Sequence, residues 1–163
     1  MAQRKRGCDD RAFYLIFEFV KIGRPKDQYT PLVKVYQKRL DKQIRFEHRI
    51  IKAQSGENRN FEKNLIANKS ATEQLVVLDE RGSLIRSQTL ASKLQNWKND
   101  GLTKKVTMVV GGPTGISPEL RKAADQSWCL SGCVLPSDIA WLILWEQIYR
   151  ANSILCGSPY HND

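Results

Sequence analysis

The hydrophobic positions of this chain recur with two periods, one typical of strands and the other of helices that are apolar on one face. Short apolar runs predict strands, which lie at 13–20, 74–79 and 105–110, and an alternating run predicts a fourth at 44–51. Apolar residues spaced three or four positions apart predict helices, which lie at 31–40, 61–68, 89–97 and 137–155, with another opening at 117–119. Because strands and helices alternate, the sequence predicts an α/β sandwich on a mostly parallel sheet.

Two of these segments predict which side chains are buried. In the helix at 31–40, the apolar residues expected to face the core are Leu32, Val35, Tyr36 and Leu40. In the strand at 44–51, the residues expected on one common face are Ile44, Phe46, His48 and Ile50. Arg81 and Gly82 form a turn signal, so the strand at 74–79 is expected to end just before them.

The helix predicted at 137–155 is apolar nearly all round, and a helix of that kind is usually buried on every side. In a chain of 163 residues one side can face the sheet, while the other most simply faces a second copy. The sequence therefore predicts a homodimer. Glu146 and Arg150 are four positions apart in this helix, and either they pair at a buried edge or Arg150 points to an active cleft.

Composition indicates one globular domain, because 41% of residues are hydrophobic and 26% are charged. We expect residues 12–163 to form this domain and residues 1–11 to be a disordered basic extension. No apolar run is long enough to cross a membrane, and the first ten residues do not resemble a signal peptide. With only four cysteines, the chain is expected to be a reduced, cytoplasmic protein with no membrane partner.

The net charge of +9 lies entirely in the first half of the chain, since residues 1–70 carry 17 Lys/Arg and 8 Asp/Glu, whereas residues 71–163 carry 9 of each. A one-sided basic surplus favours a polyanionic partner such as nucleic acid. The residues expected to contact RNA are Lys34, Lys38, Arg39, Arg45 and Arg49. An ordinary solvated, lysine-rich surface is the alternative interpretation.

The strongest local signal is the glycine-rich loop at 111–115, which follows a buried strand and precedes a helix. It matches neither a dinucleotide-binding nor a P-loop motif, so phosphate binding is disfavoured. Either Gly111 and Gly112 let the backbone approach a ligand, or they only form a tight turn. Cys129 and Cys133 lack the spacing of a metal site, and we expect no metal.

Five ordered motifs carry a resemblance to a known family; they are LVVLDERG, VVGGPTGISPELRKAADQSWCLS, the Leu135–Pro136 pair, EQIYRA and the terminal PYH. As an ordered set they strongly resemble the RlmH-type family of SPOUT-class rRNA methyltransferases, from about residue 13 to the C-terminus. The resemblance implies a C-terminal trefoil knot, a homodimer, and S-adenosylmethionine as the cofactor. It also implies methylation of N3 of a pseudouridine in large-subunit rRNA, with the assembled ribosome as substrate.

The same resemblance implies roles for individual residues. Those implied to line the cofactor are Leu78, Gly111, Leu130, Ser131, Gly132, Cys133, Val134 and Leu135. The implied catalytic or RNA-orienting residues are Arg150, Tyr160 and His161. The chain departs from the family at Ser137 and Trp141, where a histidine and an arginine are usual. These departures leave open an alternative function, that of a catalytically weakened homologue that binds rRNA without methylating it.

Overall fold

A computed structural model describes residues 15–53 and 56–160, and its strands form one sheet in the order β2-β1-β4-β3-β5. The strands are β1 (Ile16–Ile22), β2 (Arg45–Ile51), β3 (Glu73–Leu84), β4 (Lys105–Val110) and β5 (Gln126–Cys129). The helices are α1 (Thr30–Leu40), α2 (Glu57–Ala67), α3 (Ser87–Asn99), α4 (Pro118–Ala123) and α5 (Ser137–Leu155). All neighbouring strands run parallel, which confirms the predicted α/β fold. The extension predicted at 1–11 lies outside the described residues.

Helices cover both faces of the sheet, as an all-parallel sheet requires. Helices α1 and α3 pack beside α5 on one face, where Phe19 and Trp145 belong to the larger apolar core. Helices α2 and α4 cover the other face, where Val20 and Leu120 belong to a second core. Consecutive residues of β1 thus point into different cores, because side chains alternate along a strand.

The two central strands β1 and β4 create the crevice of the fold. The chain leaves β1 for α1 on one face of the sheet and leaves β4 for α4 on the other. These strands are neighbours in register, with Lys21 opposite Val110. Since their connections diverge to opposite faces, a crevice opens at their carboxyl ends, where parallel α/β sheets bind ligands.

Two burial predictions were wrong in part, although Leu40 and Ile44 are buried as predicted. In α1, Leu32 and Val35 are 50% and 45% exposed, whereas Val33 and Leu40 are buried. The buried stripe is therefore offset from the predicted one, because α1 contacts α5 along the line through Val33 and Leu40. The strand β2 lies at the sheet edge, and its residue Ile50 is 40% exposed. Edge position leaves a strand flank uncovered, so alternation there does not guarantee burial.

The turn predicted at Arg81 and Gly82 was also wrong, because β3 continues to Leu84. The strand absorbs these residues in an irregularity, so that both Leu78 and Ser83 pair with Trp128 of β5. At Gly82 an added Cβ would lie 2.6 Å from the carbonyl carbon of Ser127. Glycine is therefore needed at this crossing for the two backbones to approach each other.

Candidate functional site

An open cleft of about 980 Å³ lies at the carboxyl ends of the central strands, at the crevice between β1 and β4. Its walls come from the middle of β3, the loop after β4, helix α4, the loop after β5 and the first turn of α5. This volume is at the upper end of the range of about 300–1,000 Å³ that small-molecule sites occupy.

The structure brings most of the predicted cofactor residues together in this cleft. Those that line it are Leu78, Gly111, Leu130, Ser131, Cys133, Val134 and Leu135. Gly132 belongs to the same loop but does not line the cleft, and an added Cβ there would meet no atom of the described residues within 4 Å. Val134 is 76% exposed, so none of the described residues buries this apolar side chain at the cleft.

The glycine loop after β4 folds back on itself. The Gly115 N–H donates to the carbonyl oxygen of Gly112 at 2.9 Å, and Gly115 has a φ of 75°. A Cβ at Gly111 would lie 2.7 Å from the Gly115 carbonyl carbon, so a side chain there forces the loop to move. The loop is therefore a tight turn, and the same turn lines the cleft with backbone.

The loop after β5 is fixed by hydrogen bonds centred on Ser131. The Cys129 thiol donates to the carbonyl oxygen of Ser131 at 2.7 Å, and the Cys133 N–H donates to its Oγ at 3.0 Å. These bonds hold the loop backbone at the cleft, which pre-organises it for a ligand. Both cysteines thus stabilise the conformation of the loop through hydrogen bonds. Among the described residues, no group of three or more His, Cys, Asp or Glu could hold a metal ion.

Two ion pairs in the cleft wall were missed by the sequence analysis. Lys21 Nζ lies 3.0 Å from Asp138 Oδ1 and donates to Ser137 Oγ at 3.3 Å. Arg121 lies 2.7 Å from Asp79 Oδ2 through its terminal nitrogen. The available signal for the first pair was Lys21 itself, which is one of two charged residues in the mostly apolar strand β1 and is only 1% exposed.

The Asp79 carboxyl is held in its charged form. Burial alone would raise the pKa of this carboxyl, but the Arg81 backbone N–H and the Arg121 guanidinium outweigh burial, so that the pKa lies below its ordinary value of 3.8. Asp79 thereby ties the middle of β3 to α4, on which Arg121 lies. These two elements form adjoining parts of the cleft wall.

Arg150 and Tyr160 do not line this cleft. The Arg150 guanidinium lies 2.7 Å from Glu146 Oε1, and the Tyr160 hydroxyl donates to the same oxygen at 3.2 Å. The hydrogen bond and charge of Glu146 outweigh burial and raise the Arg150 pKa. Burial together with Tyr36 and Glu146 raises the Tyr160 pKa. Of the two alternatives for Arg150, pairing with Glu146 is the one observed. His161 lies outside the described residues.

The predicted RNA-contacting residues divide into two kinds. Those exposed on α1 and at the start of β2 are Lys34, Lys38, Arg39 and Arg45. Arg49 is different, because its Nε donates to Oε1 of the buried Glu18 at 2.6 Å. Trp141, at one of the two departures from the family, is 2% exposed and packs edge-on against Trp145 in the core.

Comparison with known proteins assigns the class. The family model described as Predicted SPOUT methyltransferase matches residues 15–161, so the chain belongs to this family. The Ribosomal RNA large subunit methyltransferase H of Anaeromyxobacter sp. (strain K) is 36% identical over 149 residues, which are 87% of this chain and 96% of that protein. The protein of the same name from Variovorax paradoxus (strain S110) is 35% identical over 135 residues, covering 78% of this chain and 86% of that protein.

Solved structures support the same fold. A methylase family protein from Neisseria gonorrhoeae superposes with a TM-score of 0.54 at 13% identity, over 90% of this chain and 86% of that one. A methylase family protein from Haemophilus influenzae Rd KW20 gives a TM-score of 0.52 at 10% identity, over 93% and 72%. Among the described residues, no helix is both long and apolar enough to cross a membrane.

Proposed function

We propose that this protein is an S-adenosylmethionine-dependent methyltransferase that acts on N3 of a pseudouridine in 23S rRNA, within the assembled ribosome. The observation that carries this proposal is the cleft at the crevice of the sheet, in a chain 36% identical to relatives named as ribosomal RNA large subunit methyltransferase H. We further propose that residues 12–163 act as one domain in the cytoplasm.

The cleft suits this cofactor chemically. Leu78, Leu130 and Val134 offer apolar contacts to an adenine ring and a thioether chain, while the glycine loop offers backbone groups. When bound, S-adenosylmethionine supplies an electrophilic methyl group on a sulfonium. The chain itself must exclude water and hold the acceptor nitrogen in line with that methyl, and such positioning accounts for much of a transfer rate.

We also propose a homodimer with a C-terminal trefoil knot, as the family resemblance implies. Support for the dimer comes from apolar side chains that one chain leaves uncovered, such as Leu32 and Val35 on α1. Arg150 lies 13 residues beyond Ser137 in α5, about 20 Å along a helix at 1.5 Å per residue. In this proposal Arg150, Tyr160 and His161 therefore serve the cleft of the partner chain, where they orient the acceptor base and assist loss of its proton.

For RNA binding, the exposed cations of α1 and β2 are proposed to contact phosphate; they are Lys34, Lys38, Arg39 and Arg45. Arg49 belongs to this surface only in part, because Glu18 holds its guanidinium.

The second candidate function is a weakened homologue that binds rRNA without methylating it. The observation that favours it is the environment of Ser137 and Trp141, the two residues that depart from the family. Ser137 accepts a hydrogen bond from the buried Lys21, and Trp141 lies in the core. Neither position supplies the cationic or imidazole group that is usual there.

Methyl transfer from tritiated S-adenosylmethionine separates the two candidates. The substrates are free rRNA, the large subunit and the whole ribosome, each prepared without the modification. We expect label at N3 of a pseudouridine in the whole ribosome. Cofactor and ribosome binding without transfer would instead select the weakened homologue, and a protein that binds neither would refute both candidates.

A further inference from the structure

We propose that Lys21, Asp138 and the first turn of α5 form a subsite for an α-amino carboxylate, the amino-acid end of the cofactor. This inference rests on the proposed function, since it assigns one end of the cofactor to one end of the cleft. All three residues of the cluster, Lys21, Ser137 and Asp138, line the cleft.

Stability alone does not explain why the Lys21–Asp138 ion pair is buried. The Lys21 side chain is 1% exposed and the Asp138 side chain 13% exposed, although an apolar pair of similar volume is often at least as stable as a buried ion pair. Lys21 stands at the end of β1 opposite Val110, directly beside the glycine loop. An ammonium is thus held at the floor of a ligand cleft, where the fold alone does not require a charge.

The ammonium keeps bonding capacity for a ligand. Lys21 Nζ has three N–H donors, and in the part of the chain that the structure describes it contacts Asp138 Oδ1 and Ser137 Oγ. One donor is therefore left over. Asp138 Oδ2 accepts the Lys26 N–H at 3.3 Å, which orients the carboxylate and leaves it further lone pairs.

The start of α5 adds a second attraction for a carboxylate. Within residues 15–53 and 56–160, no side chain caps this helix, whose N-cap residue is Pro136. The first N–H groups of a helix lack internal partners and favour a negative group. A carboxylate at this point would meet these N–H groups and the Lys21 ammonium, while the α-ammonium of the same ligand would meet Asp138. The opposite charges of the pair thus match those of a zwitterion.

Two ligands test this subsite by calorimetry without methyl transfer. S-adenosylhomocysteine carries the amino-acid group, whereas 5′-methylthioadenosine has the same adenosine and thioether without it.

The variant Lys21→Met/Asp138→Asn removes both charges together and leaves no buried ion unpaired. Since a hydrogen bond to a charged group contributes about 1.5–3 kcal/mol, we expect it to weaken S-adenosylhomocysteine binding by about tenfold to hundredfold. Binding of 5′-methylthioadenosine should stay within about twofold, which also reports a folded cleft.

Asp138→Asn alone is the second variant, because it keeps the shape of the side chain, and it should weaken only S-adenosylhomocysteine. Lys104→Met is the matched control, since it removes an exposed lysine just before β4, at the opposite end of the sheet, and should change neither affinity. Equal weakening of both ligands by the double variant, or unchanged binding of both, would overturn the subsite. A native protein that binds both ligands equally would refute the subsite alone, whereas one that binds neither would refute the proposed cofactor as well.

Discussion

Arg49 Nε lies 2.6 Å from Oε1 of Glu18, so a half-exposed cation on the edge strand neutralises a carboxylate that is only 2% exposed. Glu18 also contacts Lys105 Nζ at 2.7 Å and accepts a hydrogen bond from Thr107 Oγ1 at 3.1 Å. The main role of Arg49 is therefore in a charge network within the sheet, and any contact with RNA is secondary.

The first prediction separates these roles. Arg49→Gln should lower the free energy of unfolding by about 1–3 kcal/mol, because Glu18 loses one charged partner while buried. Arg45→Gln is the matched control on the same strand and should change it by no more than about 0.5 kcal/mol. Urea denaturation measures both variants, and equal losses would contradict the assignment.

The second prediction concerns the glycines of the cleft. Gly111→Ala places a Cβ against the Gly115 backbone, so the loop must shift and cofactor binding should fall at least tenfold. Gly132→Ala introduces a Cβ into open space and should bind nearly as well as the native chain. Calorimetry with S-adenosylmethionine compares them, and the idea fails if the folded Gly111 variant binds normally.

The third prediction tests the homodimer. Ile143 is partly exposed on α5, so Ile143→Arg would bury an unpaired charge if this side faces a second copy. Sedimentation at micromolar concentration should give a dimer for the native chain and a monomer for the variant. Leu102→Arg adds the same charge at a residue 73% exposed in the connection before β4, and it should remain a dimer. A monomeric native chain would exclude the assignment.

The fourth prediction concerns RNA affinity. Replacing Lys34, Lys38 and Arg45 together by Gln should weaken ribosome binding and flatten its dependence on salt, by roughly 0.7–0.9 in the logarithmic slope per lost phosphate contact. Cofactor affinity should barely change, because none of the three lines the cleft. The control replaces Arg86, Lys104 and Lys122, which are exposed residues of the charge-neutral half. Filter binding across a salt series measures the slopes, and equal slopes for both triple variants would leave the basic surface without a specific role.

The fifth prediction is a pH dependence. The pKa of Asp79 is lower in the folded chain than its ordinary value of 3.8, so its stabilisation is complete above that value and is lost as pH falls through the folded pKa. The free energy of unfolding of Asp79→Asn should therefore lie below that of the native chain at neutral pH. The difference in the free energy of unfolding between the two chains should disappear as the pH falls below 3.8. Thermal unfolding at a series of pH values measures this difference. A gap that stays constant into that range would contradict the lowered pKa.

Hydrophobic periodicity was sufficient to predict four of the five strands and the helices between them, and the glycine pair was sufficient to predict a turn after β4. It could not predict the partners of Glu18 and Lys21, because those partners lie on distant segments of the chain. The same limit explains Leu32 and Val35, since the side of α1 that is buried depends on how α5 packs against it. The ion-pair partners and the buried side of α1 depend on contacts between elements far apart in sequence. Local sequence patterns do not contain this information.

The position of β4 in the sheet has a consequence for folding. Val106, Met108 and Val109 are fully buried, and β4 pairs with β1 on one side and β3 on the other, although both precede it in the chain. A nascent chain that ends before residue 105 therefore holds two central strands whose shared neighbour has not yet been synthesised. Parallel pairing between distant segments is slow to form. The sheet thus closes only late in synthesis, and the first hundred residues alone are not expected to reach a native structure.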